Sequence, residues 1–245
     1  MTATDHLPLA VPLSSPPRPV VVALVGPPNS GKTALFNRLT GLRQKVANYP
    51  GVTVEQRRGR VAGPGVRAVE LIDLPGTYSL DPRTDDERIA TDVLTGRMPG
   101  QDPPDAVLLV LDATNLARHL TLAAPVLALG LPTLVVLNMA DDLQRRGGTV
   151  DTAVLADQLG TSVTLASAVT GEGMDTIRQF LAGRFGVPAR IALPVLQSVP
   201  ACRAWAGQLT DASAYRSPAA PIWTRRLDAV FLHPFVGPLL FLLVV

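Results

Sequence analysis

The chain has 245 residues, 47% of them hydrophobic and 17% charged, with a formal net charge of +2. That suffices for one good-sized core plus an appendage, and the scattered arginines without aromatic interleaving exclude a nucleic-acid-binding stripe, so no nucleic-acid partner is expected. The single cysteine, Cys202, excludes an internal disulfide framework, and His6, His119 and His233 share no ligand spacing with it, which leaves no transition-metal site built from protein ligands.

Residues 1–19 lack the basic-then-apolar order of a signal peptide, and prolines at 8, 12, 16, 17 and 19 predict an extended, disordered leader. Val20 to Val25 reads as a buried strand. It runs straight into Gly26-Pro27-Pro28-Asn29-Ser30-Gly31-Lys32-Thr33, and the helical pattern Ala34 to Leu39 follows, part of a helix expected over about 32–41. The spacing G-x-x-x-x-G-K-[ST] lets successive backbone N–H groups surround phosphates, a lysine reach the terminal ones and a hydroxyl meet magnesium. Lys32 and Lys45 are the only lysines in a chain that otherwise uses arginine, so lysine stands where this chemistry requires it.

Val52 to Val61 and Val66 to Ile72 read as two strands joined by Ala62-Gly63-Pro64-Gly65, a connection too short for a parallel crossover, so they are expected to be antiparallel. Asp73-Leu74-Pro75-Gly76 follows at a strand end. There a carboxylate can hold magnesium through water and a glycine N–H can meet a γ-phosphate, which makes the segment a switch element. A helix is predicted over 86–95, a strand over Ala106 to Leu111, a helix over 115–129 and a strand over Thr133 to Leu137.

Asn138-Met139-Ala140-Asp141 then stands where guanine-nucleotide-binding proteins carry N-K-x-D. The Asp141 carboxylate can accept from N1–H and the exocyclic amine of guanine, a donor pair that adenine lacks, which favours GTP over ATP. After a helix over 151–159 and a strand over Ser162 to Leu165, Ser167-Ala168 is positioned to offer a backbone N–H to guanine O6, and a last helix covers 173–183. Strands alternating with helices give an α/β fold, a phosphate-loop GTPase of the Ras-like type, with a mostly parallel six-stranded sheet, one antiparallel strand and helices on both faces.

Beyond residue 186 a proline-interrupted connector reaches 226 with one short helix near Ala201 to Leu209, and Cys202 reads as a small apolar residue on it. Residues 227–245 are apolar apart from few positions, and Phe235 to Val245 is about half of the ~20 residues a spanning helix needs. They are expected to begin a membrane segment.

Four stretches resemble the bacterial ferrous iron transport protein B family, whose members join a GTPase domain to an iron permease. They are GPPNSGKTALFNRLTG at 26–41, QKVANYPGVTVE at 44–55, LIDLPGTYSLDPRTDDERIATDVLTG at 71–96 and LDAVFLHPFVGPLLFLLVV at 227–245. The resemblance implies a domain over 20–185, a reduced helical connector over 186–226 and a truncated first transmembrane segment over 227–245. It places Gly51, Val52 and Thr53 in switch I, with Thr53 and Thr33 beside Asp73 on magnesium, and makes Asn29 the ligand of a potassium ion beside the phosphates. Asn29, Lys32, Thr53 and Gly76 are then the catalytic set. Thr77 and Tyr78 follow Gly76 where many regulatory GTPases have glutamine, so intrinsic hydrolysis is expected to be slow and stimulated by potassium.

Met139 in place of lysine, with so short a connector, implies weak GTP affinity and quick GDP exchange. The resemblance also implies partners, namely the protein's own permease and small soluble iron-transport accessory proteins, and a location at the cytoplasmic face of the inner membrane. A soluble ribosome- or tRNA-maturation GTPase is the alternative for residues 20–185. It leaves NYPGVTVE and the apolar end unexplained, and a binding-only scaffold is disfavoured by the presence of Lys32, Thr33, Asp73 and Asp141.

Overall fold

The computed structural model describes residues 18–42, 44–49, 52–61, 68–183, 185–186, 188–196, 198–220 and 231. The expected leader (apart from residues 18 and 19), the 62–65 turn and almost all of the apolar end lie outside the described residues. No helix among the described residues is long and apolar enough to cross a membrane.

In chain order the strands are β1 (Val20–Val25), β2 (Gln44–Asn48), β3 (Glu55–Val61), β4 (Val69–Asp73), β5 (Ala106–Asp112), β6 (Thr133–Asn138) and β7 (Ser162–Leu165). The helices are α1 (Lys32–Thr40), α2 (Asp85–Leu94), α3 (Leu116–His119), α4 (Ala123–Leu127), α5 (Ala140–Arg145), α6 (Thr152–Leu159), α7 (Met174–Leu181) and α8 (Val199–Ala212). The strands form one sheet of seven in the order β2-β3-β4-β1-β5-β6-β7. β4, β1, β5, β6 and β7 are mutually parallel, whereas β3 runs antiparallel to both β2 and β4.

The central strands are buried on both faces, as their unbroken apolar runs require. Val22 and Leu24 pack under α1 and α7, through Leu35, Phe36, Ile177 and Phe180. Their neighbours Ala23 and Val25 face α2 and the helices that follow, through Ile89, Val93, Leu116 and Val126. β1 lies between β4 and β5, where the chain changes direction across the sheet, and in open α/β sheets that crevice at the strands' carboxyl ends is where ligands bind.

Three elements differ from expectation. β2 adds a seventh strand: all five of its residues are exposed at the sheet edge, so QKVAN carries no burial pattern to read. The helix expected over 115–129 is broken into 3-10 turns at Ala113–Asn115 and Leu120–Leu122 around α3 and α4. Pro125 has no N–H for the carbonyl four residues earlier, which interrupts the regular ladder there. α5 was not anticipated because six residues give too short a window for periodicity.

The connector is part of the core. α8 is longer than its expected 201–209, is capped by the Ser198 hydroxyl accepting from Ala201 N–H at 3.3 Å, and buries Ala206 and Leu209 among residues of the α2–α6 face. Its exit is fixed too: Tyr215 Oη accepts from Leu116 N–H at 3.3 Å, and Thr149 and Arg216 form an antiparallel bridge. Leu209→Ala is expected to lower unfolding free energy by about 2–4 kcal/mol in urea denaturation, a core-sized loss that a loosely attached appendage would not give.

Candidate nucleotide site

The loop after β1 is shaped by its neighbours. A side chain at Gly26 would place its Cβ 2.1 Å from the Val110 carbonyl oxygen of the adjacent strand, so only glycine lets the chain leave the sheet there. Asn29 is left-handed at φ 63°, and Gly31 at φ 81° caps α1 with its Cα 's missing Cβ position 2.2 Å from Asn138 Nδ2. Pro27 and Ser30 are buried, while Pro28, Asn29, Thr33 and Ala34 are exposed. The amides at this turn and at the start of α1 belong to a helix N-terminus, which favours anions.

Lys32 is buried beside Asp73, the last residue of β4. Burial lowers the lysine pKa and Asp73 partly restores it. Burial likewise raises the Asp73 pKa, against the pull of Lys32, the Thr33 hydroxyl and Arg57. Thr33 Oγ1 donates to Asp73 Oδ2 at 3.2 Å, and the other carboxylate oxygen, Oδ1, is buried with no hydrogen-bond partner among the described residues. A hydroxyl beside a half-satisfied carboxylate, next to a phosphate-binding turn, fits a hard divalent cation that keeps its waters. The described residues hold no cluster of three or more His, Cys, Asp or Glu side chains, so such an ion would need ligands from nucleotide and water.

Asp73 to Thr77 is laid along the phosphate loop. Leu74 N–H donates to the Leu24 carbonyl and Thr77 N–H to the Gly26 carbonyl, each at 3.1 Å, and a Cβ at Gly76 would come within 3.0 Å of Pro28. Pro75 is half-buried and Leu74 buried. Thr77 is fully buried, and its hydroxyl serves Ser79, whose N–H it accepts at 3.2 Å and whose carbonyl it donates to. That hydroxyl is therefore committed to a turn and is unavailable to orient water. Tyr78 lies under the Arg118 guanidinium, 4.8 Å from ring centroid, with the His119 ring edge-on at 6.2 Å.

Of the Gly51-Val52-Thr53 segment, Gly51 lies outside the described residues. Tyr49 N–H donates to the Val54 carbonyl at 3.0 Å and Val52 N–H to the Tyr49 carbonyl at 3.2 Å, so the exposed Thr53 sits on a strap pinned at both ends. The pin is the Tyr49 ring, 1% exposed, with its phenol pKa pushed up by burial. Its role was not legible, since a tyrosine in a polar stretch carries no sign of burial.

Asn138 ends β6 at 2% exposure and ties the two halves of the site together. Its Nδ2 donates to the Ser30 carbonyl at 2.9 Å and its Oδ1 accepts from Ala168 N–H at 3.1 Å. Met139, left-handed at φ 65°, caps α5 and places Asp141 in the first turn, where among the described residues its carboxylate pairs with Arg145 at 3.6 Å. Ser167 is buried and turns the following loop by accepting from Thr170 N–H at 3.1 Å. The Gly26–Thr33 loop, Asp73 and the Asn138–Ala168 segment thus lie together, with Asn138 as an internal tie.

Residues 20–181 match the family described as ferrous iron transport protein B. This chain belongs to that family. It is 42% identical over 160 residues to the Fe(2+) transporter FeoB of Leptospira biflexa serovar Patoc, covering 65% of this chain and 22% of the relative. A Porphyromonas gingivalis fusion of Fe(2+) transport protein A with Fe(2+) transporter FeoB is 40% identical over 167 residues, covering 66% and 19%. The chain thus spans about a fifth of the length of these relatives. Among solved structures, the cytosolic domain of T. maritima FeoB matches in a GDP form, with TM-score 0.65 and 38% identity over 73% of this chain and 69% of that one. Its GMPPNP form matches with TM-score 0.64 and 38% identity over 71% and 67%. The family match sets aside the maturation-GTPase alternative.

Asn138→Ala is expected to cost about 2–3 kcal/mol in nucleotide-free urea unfolding, because a buried carbonyl and a buried amide lose their partner together. Asn138→Asp should be no better, since a carboxylate oxygen would then face the Ser30 carbonyl. His119 gives a pH signature. Burial lowers its pKa from 6.5, and its Nδ1 accepts from Asp112 N–H at 3.0 Å, a bond only the neutral ring makes. The folded chain then binds fewer protons than the unfolded one below pH 6.5, so stability present at neutral pH is lost as pH falls through and below that value. Thermal melts from pH 7.5 to 5 should show that decline, and His119→Asn, which retains an acceptor without a titrating ring, should flatten it.

Proposed function

We propose that this chain is the guanine-nucleotide switch domain of a ferrous iron transporter, working at the cytoplasmic face of a bacterial inner membrane and hydrolysing GTP slowly. The reading is carried by one arrangement: a phosphate loop around buried Lys32, tied through Asn138 to the Ala168 loop, with Asp141 in the first turn of α5 just beyond Asn138. The relatives' transport names and the guanine nucleotides of the T. maritima structures support it. Lys32 neutralises the terminal phosphates, and the amides of Gly26 to Ala34 cradle the chain of phosphates. Asp141 accepts from the guanine Watson–Crick edge, with Met139 against the base and Ser167 and Ala168 opposite.

Thr33, Thr53 and Asp73 are the residues suited to magnesium, which when bound supplies charge neutralisation between the β- and γ-phosphates. Thr53 and Gly76 offer backbone N–H groups to the γ-phosphate, flanked by Val52 and by Leu74-Pro75. Asn29, exposed and left-handed, is suited to potassium. With the Thr77 hydroxyl bound within its own turn, the protein supplies no side chain at that position to orient water, which leaves charge neutralisation as the main source of rate. The organisation proposed is a leader over 1–19, this domain over 20–185, a reduced helical connector over 186–226 and the start of a permease over 227–245. The fusion relative supports an accessory partner of the kind joined to it.

Calorimetry with magnesium should show GDP bound at least ~100-fold more tightly than ADP, and Asp141→Ala should remove most of that margin. Turnover of GTP should be faster in potassium than in sodium, with Asn29→Ala abolishing the difference. Equal affinity for GDP and ADP would overturn the guanine reading, whereas equal rates in the two salts would overturn only the potassium role.

A further inference from the structure

Arg38 stands in the last turn of α1, outside the phosphate-loop pattern. Its Nη1 donates to the carbonyl oxygens of Ala168 at 2.9 Å and Val169 at 3.0 Å, spanning from the helix that begins at the phosphate loop to the loop after β7. Gly171, left-handed at φ 93°, keeps room for it, since a Cβ there would lie 2.3 Å from Arg38 Nη2.

The loop's amides are nearly all spoken for. Ser167 N–H donates to the Glu172 carbonyl at 3.0 Å, Ala168 N–H to Asn138 Oδ1 at 3.1 Å, Thr170 N–H to Ser167 Oγ at 3.1 Å and Gly171 N–H to the Ser167 carbonyl at 2.9 Å. Val169 N–H has no acceptor among the described residues, and Val169 is 79% exposed. Because the peptide unit is planar and trans, holding the Ala168 carbonyl toward Arg38 turns the Val169 N–H to the opposite side.

We propose that Arg38 is a positioning residue of the base site, clamping the Ala168 and Val169 carbonyls so that the Val169 N–H is presented to the 6-oxo group of guanine. This deepens the functional reading above and rests on it. The sequence assigns the donor to Ser167-Ala168, but both N–H groups are engaged, Ser167 by the Glu172 carbonyl and Ala168 by Asn138 Oδ1. A fixed amide donor selects a 6-oxo purine, because the 6-amino group of adenine offers it no good acceptor. Arginine suits the task because one guanidinium nitrogen meets both carbonyls while the charge stays in solvent.

The test is GDP release from the magnesium-bound protein, followed with a ribose-labelled fluorescent GDP. Arg38→Ala should release GDP about 3- to 10-fold faster, and Arg38→Lys, whose flexible ammonium lacks the planar fork that fixes Nη1 between the two carbonyls, should fall between it and the parent. With 6-thio-GDP, whose sulfur is a poorer acceptor, the acceleration caused by Arg38→Ala should shrink. A general structural role would speed release of both nucleotides alike. Parental GDP release in Arg38→Ala, or the same acceleration with 6-thio-GDP, would overturn the proposal. A parent that does not distinguish GDP from ADP would instead remove the functional reading beneath it.

Discussion

The Asn138 carboxamide is the constraint on which the site depends. It is buried at the end of β6, and it satisfies the Ser30 carbonyl with one end and the Ala168 amide with the other. A carboxamide is the side-chain group that donates and accepts from one planar unit in this way. The consequence is geometric: the turn suited to phosphates and the loop suited to the base share one rigid spacer, so their separation is set by the register of β6 against β5 and of β5 against β1. The close approach is also why residue 31 must be glycine, since the Nδ2 atom occupies the space of a side chain.

Electrostatics complete what packing begins. Lys32 and Asp73 are both shifted by burial away from their charged forms, and each is held charged chiefly by the other. Such a pair is costly by itself, because mutual attraction seldom offsets the desolvation of two ions. An added polyanion with its divalent cation changes the balance, giving Lys32 a stronger partner and Asp73 a use for its unpaired oxygen. The fold therefore stores a preference for ligand at the place where the sequence pattern announced one, and functional sites are where such local costs are expected.

The legibility of the chain follows from how each element is buried. Strands β1, β5 and β6 are buried on both faces and announce themselves as apolar runs, and the phosphate loop announces itself because its backbone geometry needs particular glycines. β2 is exposed along its length, so nothing in QKVAN separates it from a loop. Tyr49 and Thr77 are buried by tertiary contacts that sequence spacing does not encode. Arg38 was unreadable for the same reason, since its partners are carbonyls 130 and 131 residues away, and a carbonyl leaves no mark on a sequence. α8 overlaps the helix expected near Ala201 to Leu209, but the docking of this segment through Ala206, Leu209 and Tyr215 depends on the α3 and α6 surfaces, which periodicity in α8 alone cannot name.

The segment after Gly76 shows how a nucleotide-dependent signal could leave the site without any new element. Thr77 is anchored to the Gly26 carbonyl, so the start of this segment follows the phosphate loop. The very next side chain, Tyr78, rests between Arg118 and His119 of α3, and α3 in turn packs against α8 of the connector. One residue therefore separates the anchor on the Gly26 carbonyl from the group that touches the body of the domain. A shift of Gly76 toward a γ-phosphate strains either the Thr77 anchor or the Tyr78 contact. The anchor is a buried backbone hydrogen bond, while the contact is a half-exposed cation–π pair worth about 0.5–1 kcal/mol. Of the two, the Tyr78 contact is the weaker, and it lies on α3, which packs against α8.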